Sequence, residues 1–320
     1  MNADPVRAIA RSVLYEGYLL WPYRRTAAKN RHRFTLGGLY PLEYAATSAD
    51  RGAARVDVLV EGEHPRIDAE LRFLRLWRRQ AMLHGTPVDE MTVDGERYVS
   101  WEDATEECVA LNGVCALAGA DTRIDRPARD EDEVLDDRSV LRRSAQPLCG
   151  RFTLDVTPVD RGLHRVTATV TNLAAWDGPS RDDALRGSLL AAHVVLRAHD
   201  AAFVSAIDPP DALREHAAAS RSDGLWPVLV GTPGDRSTIL ASPMILEDYP
   251  RVAPESAGDY FDGGEVDALL VHSIRALTDD EQREIRATDP RARELLDRTL
   301  SLPDAELARL HGGAVRESGP

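Results

Sequence analysis

Apolar and polar residues alternate most regularly between Arg151 and Ala174. Phe152, Leu154 and Val156 interleave with Thr153, Asp155 and Thr157. Asp160-Arg161-Gly162 turns the chain, and Val166, Ala168 and Val170 then interleave with threonines. A period of two in β-branched residues predicts an antiparallel hairpin with one buried face. Ala54 to Arg78 repeats the pattern. Val56, Val58 and Val60 form one strand, Gly62 to Pro65 a turn, and Ile67, Ala69, Leu71 and Phe73 a second strand. Asp94-Gly95, between Val93 and Val99, reads as a tight hairpin. Strand patterns recur over Leu189–Ile207, Trp226–Val230 and Ile239–Leu246.

The helical period comes late. Pro209-Pro210-Asp211 opens a helix to about Ala219. Thr278 to Glu281 is a capping box, and Asp289-Pro290 starts a helix with Leu295, Leu296 and Leu300 on one face. A third short helix is expected over Ser301–Leu310. The fold class that follows is α+β: a mainly antiparallel, sandwich-like β body with a helical C-terminal section. The segment 121–147 is rich in Asp, Glu and Arg and poor in apolar residues, which predicts an exposed acidic linker. It divides the chain into a β-rich domain over 1–120 and a hairpin-rich domain with helices over 148–311, followed by a frayed tail at 312–320.

Charge changes the picture in one place. The 320 residues carry 53 acids against 39 Lys plus Arg, a net charge of −14. Lys29 is the only lysine, and GC-rich codon usage accounts for the general preference for arginine. The negative field makes nucleic acid an unlikely partner, and no apolar run is long enough to span a membrane. Yet no acid occurs between Glu16 and Glu43, where Arg24, Arg25, Lys29, Arg31 and Arg33 fall among Tyr15, Tyr18, Trp21, Tyr23 and Phe34. Arginine beside aromatics suits a carboxylate, a phosphate or an acidic partner surface. The candidate binding residues are therefore Tyr18, Trp21, Arg24, Arg25, Lys29, Asn30, Arg31 and Arg33. An acidic cluster at Glu255, Asp259, Asp262, Glu265 and Asp267 is their candidate intramolecular partner.

Nucleotide-binding glycine loops, zinc-protease helices and serine-hydrolase elbows are missing from the sequence. No cofactor or metal is expected. His193 and His199 share a strand face but have no third ligand at a fixed spacing. Cys108, Cys115 and Cys149 are too widely spaced for a metal knuckle and read as reduced, mostly buried thiols of a cytoplasmic protein.

LYEGYLLWPYR (Leu14–Arg24), KNRHRFTLGGLYP (Lys29–Pro41), WPVLVG (Trp226–Gly231), SPMILEDYPRVAPESAGDYFDGGEVDALL (Ser242–Leu270) and TDDEQREIRATDPRARELLDR (Thr278–Arg298) carry a family likeness. They resemble a family of uncharacterised bacterial proteins associated with gene clusters for uptake NiFe-hydrogenases. The resemblance implies an accessory, assembly or structural partner in hydrogenase biogenesis and supplies no catalytic residues. The expectation is a non-enzymatic interaction protein whose partner is another protein. The alternative is an enzyme on a small anion held by Arg25 and Lys29, with Glu16 or an Asp of 259–267 as acid/base.

Overall fold

The computed structural model describes residues 5–31, 33–115, 119–251 and 267–303. The helices are α1 (Pro5–Tyr15), α2 (Leu42–Ala45), α3 (Arg181–Arg186), α4 (Arg214–Ala218), α5 (Asp267–Arg275), α6 (Asp279–Thr288) and α7 (Pro290–Leu300). The first nine strands are β1 (Ala53–Glu61), β2 (Arg66–Leu83), β3 (Thr86–Val88), β4 (Glu90–Val93), β5 (Glu96–Val99), β6 (Trp101–Cys115), β7 (Ala120–Arg126), β8 (Arg129–Val134) and β9 (Ser139–Ala145). The remainder are β10 (Leu148–Asp160), β11 (Leu163–Asn172), β12 (Leu190–His199), β13 (Ala202–Phe203), β14 (Ser222–Asp223), β15 (Trp226–Leu229) and β16 (Thr238–Ser242). The fold is α+β, as the alternation predicts.

One antiparallel sheet runs β13-β1-β11-β10-β7, with β14 also on β1. The other runs β15-β16-β12-β2-β9-β8, with β6 and β3 also on β2. The predicted alternation supplies the layer between them. Val56, Val58 and Val60 of β1, Phe152 and Leu154 of β10, and Val166 and Val170 of β11 face Ile67, Leu71 and Phe73 of β2 and Val194 and Leu196 of β12. All are buried in one cluster. Gly162, at φ +65°, turns β10 into β11, and Asp94 and Gly95, at +51° and +82°, turn β4 into β5. Positive φ at both central residues is the hairpin geometry that Asp-Gly favours.

The outer face of the second sheet has its own cover. Ala10 and Val13 of α1 pack on Val195, Val228 and Leu240. Over the far end of β2, Leu14, Tyr15, Tyr18, Leu19 and Tyr23 join Leu74, Leu76 and Trp101. Ile274, Ile285, Leu295 and Leu296 of α5, α6 and α7 close this second core. Both predicted caps form: Thr278 and Glu281 make the reciprocal box of α6, and Asp289 accepts from the Arg291 amide with Pro290 at the first helical position. Gly37 lets the chain cross this region. Its φ is +59°, and a Cβ there would lie 2.5 Å from Cγ of Pro243. The helix predicted after Pro209 is a short turn, Asp211–Leu213, leading into α4. Residues 304–320, with most of the expected third helix and the tail, lie outside the described residues.

The expected linker at 121–147 is instead β7, β8 and β9. β7 and β9 bury only Ile124, Leu141 and Ala145 among their apolar residues, and β8 buries none, so charge pairs dominate their outer surface. Asp132 meets Arg142 at 2.8 Å, Glu131 meets Arg143 at 3.5 Å, and Asp121 holds Arg151. Opposite charges facing across strands stabilise a sheet without an apolar pattern. The two-domain division fails with the linker. β1 pairs with β11 along its whole length and β2 pairs with β12, so residues from both sides of 121–147 build both sheets. The cysteines also differ from expectation, since Cys108 and Cys115 are exposed and Cys149 is half-buried. Among the described residues no helix is long and apolar enough to cross a membrane.

Candidate functional site

The basic segment leaves α1 and runs between the outer face of the second sheet and the C-terminal helices. The structure consumes much of it internally. Tyr18 is 1% exposed. Its hydroxyl donates to Oδ2 of Asp289 at 2.7 Å and accepts from the Ala104 amide at 3.3 Å. Burial, and then the Asp289 charge, push its pKa well above the ordinary phenol value. Tyr15 donates to Glu106 at 2.7 Å, and Arg291 donates to the Tyr15 hydroxyl at 2.6 Å with its guanidinium 4.6 Å from the ring centre. These contacts tie the N-terminal segment to α7 and β6.

Asn30 is buried and organises the loop. Its Oδ1 accepts from the Leu20 amide at 2.9 Å, and its Nδ2 donates to the carbonyls of Leu20 and Arg24 at 2.7 and 3.1 Å. Arg33 is buried too. It donates to the carbonyls of Tyr18 at 3.0 Å and Glu102 at 2.5 Å, and lies 3.6 Å from the Trp101 ring centre. Burial lowers its pKa to about 10, so it stays charged at neutral pH. Trp21 is half-buried, edge-on to Tyr23. Arg24 pairs with Glu281 of α6 at 3.0 Å. Lys29 is exposed, and the side chain of Arg31 lies outside those described.

Among the described residues the segment's acidic neighbours include Glu281 of α6, Asp289 at the start of α7, Glu106 of β6 and Asp89. Glu255, Asp259, Asp262 and Glu265 lie outside the described residues. Asp267 opens α5, and its side chain is likewise not described.

Arg25, Asn30 and Arg33 meet at a groove of about 690 Å³ that also takes in β2, the β5–β6 junction and α3. Sequence reasoning missed the other basic members, Arg78, Arg79 and Arg181. They come from distant segments that only the sheet brings together, although Leu76-Trp77-Arg78-Arg79 repeats the aromatic-plus-arginine signal. Not all five guanidinia are available. Arg79 caps the end of α6, donating to the carbonyls of Ala287 and Thr288. Arg181 reaches Asp50 at 3.4 Å and the Tyr40 hydroxyl. Arg25 is only loosely paired, 3.9 Å from Asp89, whose side chain is 88% exposed. Arg78 is exposed and makes no side-chain hydrogen bond or ion pair among the described residues. Of the residues named for the enzyme alternative, Arg25 lines this groove and Glu16 and Lys29 do not, while the side chains of Asp259, Asp262 and Asp267 lie outside those described.

No family model matches the chain. No curated protein matches it either.

His193 and His199 do share a face of β12, but six residues of strand set them about 20 Å apart. His199 is exposed and bonds Asp68 at 2.7 Å. His193 is fully buried. Its Nδ1 donates to the Ala191 carbonyl at 2.9 Å, and its Nε2 has no partner among the described residues. Burial lowers its pKa from 6.5 to about 4. The unfolded chain therefore binds this proton first. Stability is full above about pH 6.5 and falls as the pH drops from there toward 4. The expected loss is about 2 kcal/mol between pH 7.5 and pH 5 from this group. In His193→Asn the amide Nδ2 takes the place of Nδ1 and nothing titrates. Urea unfolding at the two pH values should show the variant less pH-dependent by that amount. Equal dependence in both proteins would contradict the assignment.

Proposed function

We propose that the protein is a non-enzymatic accessory or assembly protein that works by holding another protein, with uptake-hydrogenase biogenesis in the cytoplasm as its setting. The setting rests on the sequence resemblance. The mode of action rests on the groove: an open, polar cleft whose described lining contains neither imidazole nor thiol. Its Ser100 hydroxyl is spent on the Val88 carbonyl at 2.6 Å and the Ala81 amide at 3.0 Å, so it is not poised as a nucleophile. A cleft with loosely held charge and no activated group is suited to recognition.

The test is co-purification from the native host with wild-type protein and with Arg25→Glu/Arg78→Glu. Both side chains reach solvent, so the variant is expected to keep its circular dichroism spectrum and melting temperature within a few degrees. Its partner should fall at least tenfold in quantitative mass spectrometry. Full retention of every co-purified protein by the folded double variant would overturn the assignment of the groove.

A further inference from the structure

The groove has a charge pattern as well as a charge. Besides Trp101, whose buried indole N–H has no partner among the described residues, three polar lining side chains make no hydrogen bond or ion pair there: Arg78, Gln80 and Asp182. They differ in kind, one a cation fork, one an amide and one a carboxylate. Arg78 and Gln80 are two residues apart on β2, so they project to the same side of that strand. Asp182 stands in the first turn of α3, exposed. Arg25 and Asp89 add a second, loose pair of opposite sign. By contrast, the arginines deeper in the wall already have carbonyl or carboxylate partners.

We infer that the groove binds a short extended segment of a partner protein bearing both an acidic and a basic residue, and this rests on the interaction reading above. The acid meets Arg78, a fork that takes a carboxylate by two parallel hydrogen bonds. The base meets Asp182. Gln80, which both donates and accepts, meets the segment's peptide groups. Two features favour such a segment over a phosphate ligand or a nucleic acid. A lone phosphate fills little of about 690 Å³. Asp89, Glu102 and Asp182 stand among the lining arginines, so a mixed-charge peptide finds partners of both signs where a polyanion would face unmatched carboxylates.

A displayed library of random short peptides, panned against the intact protein, tests this directly. Wild-type protein should enrich peptides that pair Asp or Glu with Lys or Arg. Their binding, measured by fluorescence anisotropy, should weaken at least tenfold with Arg78→Glu and with Asp182→Lys, and should weaken as salt rises. The double variant Arg78→Glu/Asp182→Lys should enrich peptides of the opposite order. Inorganic phosphate and a single-stranded oligonucleotide, as competitors, should not displace the peptides. Enrichment of purely acidic peptides, or displacement by phosphate or oligonucleotide, would overturn the mixed-charge occupant. If no peptide is enriched while the Arg25→Glu/Arg78→Glu protein still loses its partner, this inference fails and the interaction reading stands. If that protein keeps its partner, the interaction reading fails with it.

Discussion

Arg33→Ala is expected to lower the free energy of unfolding by about 4 kcal/mol, measured by urea titration at pH 7.5. The guanidinium fills a buried slot between the loop and β6. It donates to two carbonyls, those of Tyr18 and Glu102, and its central carbon lies over the Trp101 ring, 3.6 Å from the centre. A hydrogen bond to a charged group contributes about 1.5–3 kcal/mol, and the stack adds about 1–2 kcal/mol when desolvated. Alanine leaves two buried carbonyls without their donor and a void beside Trp101. Lysine keeps the charge but loses the planar fork, so Arg33→Lys should recover less than half of the loss. A loss below about 1 kcal/mol for the alanine variant would show that the slot collapses or fills with water, and that Arg33 belongs to the groove rather than to the core.

Asn172→Ala should cost about 3 kcal/mol in the same assay. Asn172 is fully buried at the end of β11. Its Nδ2 donates to the carbonyls of Leu39 and Gly187, and its Oδ1 accepts from the Ala174 amide, all at 2.8 Å. One side chain thereby joins the strand end to the crossing segment after Gly37 and to the end of α3. Removing it strands three buried backbone groups at about 1 kcal/mol or more each. Asn172→Asp should do no better, because its carboxylate would face the two carbonyl oxygens with like partial charge. An aspartate variant as stable as wild type would mean that water replaces the Nδ2 donor.

Where burial follows a simple period, the residues announce the fold. The valines of β1 and β11 and the caps at Thr278 and Asp289 required nothing from elsewhere in the chain to be read. β8 shows the limit: all six of its residues are exposed, and it is held by its ladder to β9 and by pairs with Arg142 and Arg143 on that strand. A pattern search along one strand does not see a partner ten residues away. α1 stands outside the expectation of helices late in the chain, although Val6, Ala10, Val13 and Leu14 keep a helical spacing.

The candidate site was legible only in part. Arg25, Asn30 and Arg33 do meet at one groove. The sequence did not distinguish Arg33, which is committed to carbonyls, from Arg78, which is uncommitted. That difference depends on which strands and helices arrive beside each guanidinium.

The clasp between the Tyr15–Tyr18 segment and α7 also has a consequence in time. Tyr18 and Asp289 are separated by 271 positions, and Tyr15 and Arg291 by 276. At roughly 5–20 residues per second, a ribosome takes about 15–50 s to travel from Phe34 to Leu300. Throughout that interval Tyr15, Tyr18, Leu19 and Tyr23 lack their helical roof, even once the sheet beneath them has formed. Concealment of this aromatic seam therefore waits until residues 267–302 have been made. A truncated chain would display it permanently, giving quality-control proteases and chaperones a direct mark of incompleteness.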